Sequence, residues 1–116
     1  MTESDCLFCH ITDGEIPARF VYRDDRVVAF HDVNPQAPVH VLVVPTRHVA
    51  SLRELTTVDG DLLAHIVGVI QQVTRETHID DSGYRTVVNT GVDGGQSVGH
   101  LHLHVLGGRR MAWPPG

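Results

Sequence analysis

The sequence predicts an α+β fold, with five antiparallel strands in one sheet and one short and one long helix against it. Two observations support this class. Short runs of β-branched and aromatic residues alternate with turn signals, and one long stretch repeats apolar residues near every 3.6 positions. The order helix, hairpin, strand, helix, strand, strand favours an antiparallel sheet with its helices segregated to one side. The 116 residues are 41% hydrophobic and 20% charged, which is enough for a single domain over residues 1–116.

The N-terminal segment is predicted to form a short helix followed by a hairpin. Within residues 6–13, apolar residues recur at helical spacing, and Gly14 ends the helix. Two β-rich runs follow, separated by a pair of aspartates. They predict the hairpin strands Phe20–Arg23 and Arg26–His31.

The rest of the chain is predicted to supply three strands and the long helix. The strands are His40–Val44, Tyr84–Asn89 and Val98–Leu106, and the helix covers residues 59–78. The apolar stripe of this helix consists of Leu62, Leu63, Ile66, Val69, Ile70 and Val73. Pro-rich and Gly-rich loops separate these elements.

The charge balance narrows the range of partners. Fourteen Asp and Glu against nine Arg, with no Lys, give a net charge of −5, so we expect neither nucleic acid nor a membrane surface as a partner. The absence of Lys excludes a lysine nucleophile. No apolar stretch is long enough to span a bilayer, and residues 1–15 lack the pattern of a secretory signal, so we expect a cytoplasmic protein.

Three histidines alternate with apolar residues near the C-terminus. In the predicted last strand, His100, His102 and His104 share one face at intervals of roughly 7 Å, and the intervening leucines face the core. A single exposed histidine is common, but three in strict alternation favour a function. Imidazole titrates near neutral pH, so two classes of site remain: a metal centre or nucleophilic catalysis.

The glycine-rich loop before this strand is suited to bind an anion. Residues 89–97 hold three glycines and several small polar side chains, and exposed N–H groups in such loops form anion nests. Joined directly to the histidines, the loop suggests a phosphate held beside a nucleophile.

Several separate motifs resemble one known family in the right order. Gly-Gln-Ser-Val-x-His-x-His-x-His-Val-Leu-Gly-Gly-Arg runs from Gly95 to Arg109. The other motifs are Phe30–Pro38, His40–Pro45 with His48, Tyr84–Asn89 and Trp113–Gly116. From about Cys6 to Gly116 the chain resembles the histidine triad (HIT) hydrolases, and more closely their nucleotide-binding-protein branch, the purine nucleoside phosphoramidases.

The resemblance implies an enzyme that cleaves purine nucleoside 5′-phosphoramidates or aminoacyl-nucleotides and releases the nucleoside monophosphate. His102 would be the nucleophile and would form a nucleotidyl-histidine intermediate. His104 and His40 would bind the phosphate and assist proton transfer, and the carbonyl of His100 would orient His102. A histidine rather than a glutamine at position 104 favours hydrolysis over transfer.

The resemblance also assigns the nucleotide contacts. The purine slot would be lined by Leu7, Phe8, Ile11, Phe30, His31, Val33 and Leu42. Asp32 would accept the ribose hydroxyls. Phosphate or leaving-group contacts would come from Asn89, Gly95, Gln96, Ser97, Val98, His102 and His104. Taken alone, the apolar residues could equally be core, Asp32 or Asn89 could form a turn, and His40 could be a buried structural histidine.

Cys6 and Cys9 lie outside the nucleotide motif. In a chain expected to be cytoplasmic, a Cys-x-x-Cys pair favours metal binding over a structural disulfide. The pair supplies only half of a zinc site. The resemblance implies a structural zinc held by the two cysteines, His48 and His100, with no cofactor needed for catalysis. Two reduced thiols packed as small hydrophobic groups are the alternative.

The resemblance further implies a homodimer with a continuous ten-stranded sheet. Gly99 stands where this branch often has an aromatic residue, which affects substrate preference. Two other functions remain open from the sequence. One is a non-catalytic nucleotide-binding or regulatory protein on the same fold, and the other is a metal-dependent enzyme that uses the histidines as ligands.

Overall fold

The computed structural model describes residues 5–116 and contains two α-helices and five strands. In chain order these are α1 (Leu7–Thr12), β1 (Phe20–Arg23), β2 (Val27–His31), β3 (Val39–Pro45), α2 (Gly60–Glu76), β4 (Tyr84–Val87) and β5 (Leu103–Gly107). Two 3₁₀ turns that the sequence did not predict, Leu52–Glu54 and Thr57–Asp59, lead into α2. Within residues 5–116, neither helix has both the length and the apolar character needed to cross a membrane.

All five strands pair antiparallel in one sheet, which confirms the α+β prediction. The strand order is β1-β2-β3-β5-β4, so β3 and β5 are central and β1 and β4 form the edges. His104 lies opposite Leu42 on one side and Val87 on the other, so the middle of the sheet holds it in place.

The two helices pack on opposite faces of the sheet, so the prediction that both lie on one side was wrong. The strands β2 and β3 are buried on both faces, which lets each face cover a helix. Alternate strand residues such as Ala29 and Val43 join α2 residues such as Val69 in one buried cluster. The residues between them, such as Phe30 and Leu42, pack with Cys6, Phe8 and Ile11 around α1. The sheet thus has one buried cluster between itself and α2, and a second on its other face around α1.

Most of the predicted stripe of α2 is buried as expected. Ile66, Val69, Ile70 and Val73 are buried, and Leu62 is partly buried. Leu63 is 36% exposed, so its assignment to the core stripe was wrong. It lies at the edge of the face that contacts the sheet.

The predicted last strand was too long at its N-terminal end. Its ladder begins at Leu103, so His100 and His102 precede the strand, and only His104 lies on it. Residues 98–102 bond elsewhere: the N–H of Leu101 donates to the carbonyl of Val49 at 2.6 Å. Likewise, β4 ends at Val87 rather than Asn89.

A polar cluster ties the β1–β2 turn to α2. Asp24 accepts hydrogen bonds from the hydroxyl of Tyr22, from His65 Nε2 at 2.6 Å and from the backbone N–H groups of Arg26 and Val27. Burial alone would raise the pKa of Asp24, but these donors hold it well below its usual range. His65 therefore has a structural contact.

Candidate active site

A cavity of about 570 Å³ opens on the α1 face of the sheet. Twelve of its lining residues were predicted for nucleotide binding: Leu7, Phe8, Ile11, Phe30, His31, Asp32, Val33, Leu42, Ser97, Val98, His102 and His104. Most of the lining is apolar, and the imidazoles and a serine converge on it. Such a cavity suits a flat aromatic group joined to a polar one.

His102 is held in one tautomer by the backbone. Its Nδ1 lies 2.7 Å from the carbonyl oxygen of His100, which can only accept, so Nδ1 carries the proton. The Nε2 atom of the neutral ring is therefore left with a lone pair. The ring of His102 is only 4% exposed, and that of Phe8 packs against it edge-on, with centroids 5.0 Å apart. His102 thus presents a fixed, desolvated imidazole on the wall of the cavity.

His40 and His104 form a hydrogen-bonded relay whose direction is also set by the backbone. The N–H of Gln36 donates to His40 Nδ1 at 3.0 Å, so the proton of neutral His40 lies on Nε2. That Nε2–H donates to His104 Nδ1 at 2.9 Å. The neutral ring of His104 consequently carries its proton on Nε2 and is a hydrogen-bond donor.

Burial keeps this pair neutral. Desolvation, followed by the neighbouring His102 and His40, lowers the pKa of His104 to about 4. Burial likewise lowers the pKa of His40, and Asp32 opposes the shift from 3.5 Å away. At neutral pH the relay therefore donates through His104 without bringing a positive charge.

Asp32 and His31 also line the cavity. One carboxylate oxygen of Asp32 accepts the N–H of Asn34 at 2.8 Å, so the residue does shape a turn as well as line the cavity. Burial lowers the pKa of His31, and the charge of Arg19 adds to this effect.

Four residues predicted to contact the nucleotide do not line the cavity: Asn89, Gly95, Gln96 and His40. The Nε2 of His40 instead donates to His104. The amide of Asn89 donates to the carbonyl of Gly94 at 2.7 Å. The side chain of Gln96 donates to the carbonyls of Ala50 and Val98 and accepts the N–H of Gly91. These side chains bind the loop around Gly95 to itself and to the segment at Ala50, so they shape the loop that carries Ser97.

The sequence did not point to four residues of the cavity wall. Ile16, Pro17, Ala18 and Arg19 line it, yet they belong to no helix or strand and show no periodicity. The only available signal was two apolar residues and a proline in the short connection between α1 and β1.

Among residues 5–116, two clusters bring together potential metal ligands, and the tautomers of their histidines decide which of the two fits a metal. One cluster is formed by Asp32, His40 and His104. A metal there would need the lone pair of His40 Nε2, but this atom carries the proton because Nδ1 accepts from Gln36. This cluster therefore fits a hydrogen-bond relay better than a metal.

The second cluster, Cys6, Cys9, His48 and His100, fits a metal. Its four ligand atoms lie within 4.8 Å of one another. His100 Nε2 donates to the carbonyl of Pro45 at 2.8 Å, which leaves Nδ1 unprotonated and 3.2 Å from Cys6 Sγ. His48 Nδ1 lies 3.2 Å from Cys9 Sγ. Two thiolates and two imidazoles form a closed tetrahedral set of the kind that holds structural zinc. When bound there, a metal would supply a crosslink between α1 and the sheet.

This geometry places the chain in a class. An antiparallel five-stranded sheet with buried, relay-linked imidazoles beside an apolar cavity defines a histidine triad protein. The family described as "Scavenger mRNA decapping enzyme C-term binding", which is HIT-like, matches residues 5–112. The chain belongs to the HIT family.

Relatives and solved structures cover nearly the whole chain. An uncharacterized HIT-like protein of Synechococcus elongatus is 50% identical over 112 residues, which are 97% of each chain. The crystal structure of a HIT family hydrolase from Legionella pneumophila has a TM-score of 0.95 and 46% identity, and covers 97% of this chain and 100% of the other. A histidine triad protein from Clostridium difficile has a TM-score of 0.92 and 47% identity, with 97% of each chain covered.

Proposed function

We propose that this chain, acting as a single domain, is a nucleotide hydrolase that cleaves the P–N bond of purine nucleoside 5′-phosphoramidates, or the acyl-phosphate bond of aminoacyl-nucleotides. The observation that carries the proposal is the tautomer of His102. A neutral imidazole whose Nδ1–H is tied to a main-chain carbonyl presents Nε2 as a nucleophile in a cavity with an apolar slot. The HIT hydrolase with the same fold supports the reaction class.

The apolar side of the cavity would hold the purine. Phe8, Phe30 and Leu42 are buried there, and the rings of Phe8 and Phe30 meet edge-on with centroids 5.7 Å apart. Asp32, on the same cavity wall, would accept hydrogen bonds from the ribose hydroxyls. The α-phosphate would then lie among Ser97, His102 and His104, with the N–H groups of residues 97 and 98 as further donors. The N–H groups of Gly95 and Gln96, which the resemblance also assigned to the phosphate, already donate to carbonyls within the loop.

The reaction would proceed in two displacements. His102 Nε2 forms a bond to the α-phosphorus while the P–N bond breaks, and the leaving amine takes the proton of His104 Nε2. Water then attacks the nucleotidyl-His102 phosphorus, and its proton passes to His104. The P–Nε2 bond breaks, which releases the nucleoside monophosphate and restores both imidazoles.

The first test is hydrolysis of adenosine 5′-phosphoramidate by wild type and His102→Ala, each with and without a chelator. We expect turnover in the wild type, none in the variant, and survival of wild-type turnover under chelation. His65→Ala is the matched histidine control, because His65 contacts Asp24 on the α2 side of the sheet. Binding of AMP without turnover would favour a nucleotide-binding module, and loss of activity under chelation with the fold intact would favour a metal-dependent enzyme.

The assembly we propose is a homodimer in the cytoplasm. Within residues 5–116 the strand β4 pairs only with β5, so it forms an edge of the sheet that a second copy could extend into a ten-stranded sheet. Beside it, Arg85 donates to the carbonyl of Ala112 and lies 5.9 Å from the ring of Trp113, which is 81% exposed. Sedimentation equilibrium tests this: we expect the mass of a dimer, and a monomer for Thr86→Pro, which removes a backbone donor on β4.

A further inference from the structure

The helix α1 borders two sites at once. Cys6 and Cys9 belong to the candidate metal cluster, and Leu7, Phe8 and Ile11 line the large cavity. A helix of six residues is too short to be stable by itself, so its position depends on what it packs against. A crosslink at its cysteines would therefore also fix one wall of the cavity.

His100 provides a second connection between the sites. Its imidazole Nδ1 faces the sulfur atoms of the cluster, and its carbonyl accepts the Nδ1–H of His102. The ring of Phe8 contacts both imidazoles, with centroids 6.0 Å from His100 and 5.0 Å from His102. A shift of His100 toward or away from the sulfur atoms would thus move the nucleophile and the cavity wall together.

The candidate metal cluster can be reached from solvent through a second cavity. A second cavity of about 300 Å³ is lined by Cys9, His48, His10 and four other residues, none of which lines the large cavity. Cys9 and His48 are half-buried, whereas Cys6 and His100 are fully buried. A cation can therefore enter or leave without passing through the nucleotide site.

We propose that a divalent cation at Cys6, Cys9, His48 and His100 and a purine nucleoside monophosphate in the large cavity bind cooperatively through α1 and His100. This inference rests on the proposed function for the identity of the nucleotide. Coupling between two sites is reciprocal, so each ligand raises the affinity for the other by the same factor. We expect about a tenfold effect, which is within the usual range for coupled sites.

The test measures both directions of the coupling by binding rather than turnover. The AMP dissociation constant is determined by calorimetry for the Co²⁺-loaded and the chelator-treated protein. Extraction of Co²⁺ by a competing chelator is followed by the thiolate-to-cobalt absorption, with and without AMP. We expect AMP to bind about tenfold more tightly to the loaded protein, and AMP to raise Co²⁺ affinity by the same factor.

Two variants supply the matched comparison. His48→Asn removes a ligand that does not line the nucleotide cavity, and should reproduce the weaker AMP binding of the metal-free protein. His10→Asn changes a histidine in the same second cavity that is outside the cluster, and should behave as wild type.

Each outcome decides the proposal. Equal AMP affinity with and without Co²⁺, or Co²⁺ extraction that AMP does not alter, would overturn the coupling while leaving the nucleotide site intact. If the metal-free protein unfolds, AMP raises Co²⁺ affinity through stabilisation of the fold alone. The extraction is then repeated in sucrose at a concentration that raises the melting temperature as much as AMP does, and an AMP effect no larger than the sucrose effect would overturn the coupling. Failure of AMP to bind either form, together with no phosphoramidate turnover, would overturn the proposed function as well.

Discussion

The carbonyl oxygen of His100 lies 2.7 Å from Nδ1 of His102, and the imidazole of the same His100 lies 3.2 Å from Cys6 Sγ. One residue thus joins the candidate nucleophile to the candidate metal cluster through its main chain and its side chain. Through these two contacts of His100, a cation bound at the cluster could shift the imidazole of His102 without contacting the substrate.

The relay through His40 predicts a leaving-group effect. In His40→Asn, His104 loses the donor that fixes its Nδ1 as acceptor, so protonation of the leaving group slows. We expect turnover of the phosphoramidate to fall about 10²-fold, and turnover of AMP p-nitrophenyl ester, whose leaving group needs no proton, to fall much less. Equal losses with both substrates would show that His40 only supports the fold.

The low pKa of His104 predicts a pH-dependent stability. Its pKa is about 4 in the folded protein against an ordinary value of 6.5, so between these values the unfolded chain binds more protons. The free energy of unfolding should therefore fall as pH drops from about 6.5 toward 4. Urea unfolding at several pH values checks this. His104→Gln should flatten the dependence, whereas His78→Asn, at an exposed position, should not.

The close backbone packing around Gly94 predicts that the loop before Ser97 does not tolerate a side chain at this position. A Cβ at this position would lie 2.3 Å from the carbonyl oxygen of Thr90, which is backbone and cannot move without the loop. Gly94→Ala should therefore weaken AMP binding, measured by calorimetry, at least tenfold, a loss of about 1.4 kcal/mol. Gly68→Ala on α2, where nothing lies within 4 Å of the added atom, should instead stabilise the protein by about 1 kcal/mol.

The hydrogen bonds of Asp24 predict that its substitution lowers stability without affecting catalysis. In Asp24→Asn an NH2 group replaces the oxygen that accepts from Tyr22 and His65, while the amide oxygen still accepts from the two backbone donors. The free energy of unfolding should therefore fall by about 2 kcal/mol. Phosphoramidate turnover at 25 °C should be unchanged. Asp25→Asn, at the neighbouring exposed position, is the control and should lower stability little. A similar loss in both variants would mean that only the local charge matters.

Local patterns predicted the sheet and the long helix well, because both depend on periodicity within short segments. The start of β5 was misplaced because alternation of His and Leu does not require a strand partner, and the backbone of Leu101 bonds to Val49 instead. The cavity-lining role of residues 16–19 was not predicted, because an irregular segment has no hydrophobic periodicity to indicate which side chains are buried.

The site itself was predictable mainly through the motif around His102. The tautomer of His100 was not, because Pro45 and His100 are 55 positions apart and meet only in the folded chain. Gln96 shows the opposite error: its polar side chain suggested a phosphate contact, but the loop itself uses its hydrogen bonds.

The protons of His40, His100 and His102 are each assigned by a main-chain group: the N–H of Gln36, the carbonyl of Pro45 and the carbonyl of His100. Every amino acid has a carbonyl, and every one except proline has an N–H. Positions 36 and 45 can thus change identity over evolution while the acid–base pattern stays the same, provided that position 36 never becomes proline. Substitutions at these two positions would therefore leave the proton positions unchanged, whereas substitutions of the histidines would not.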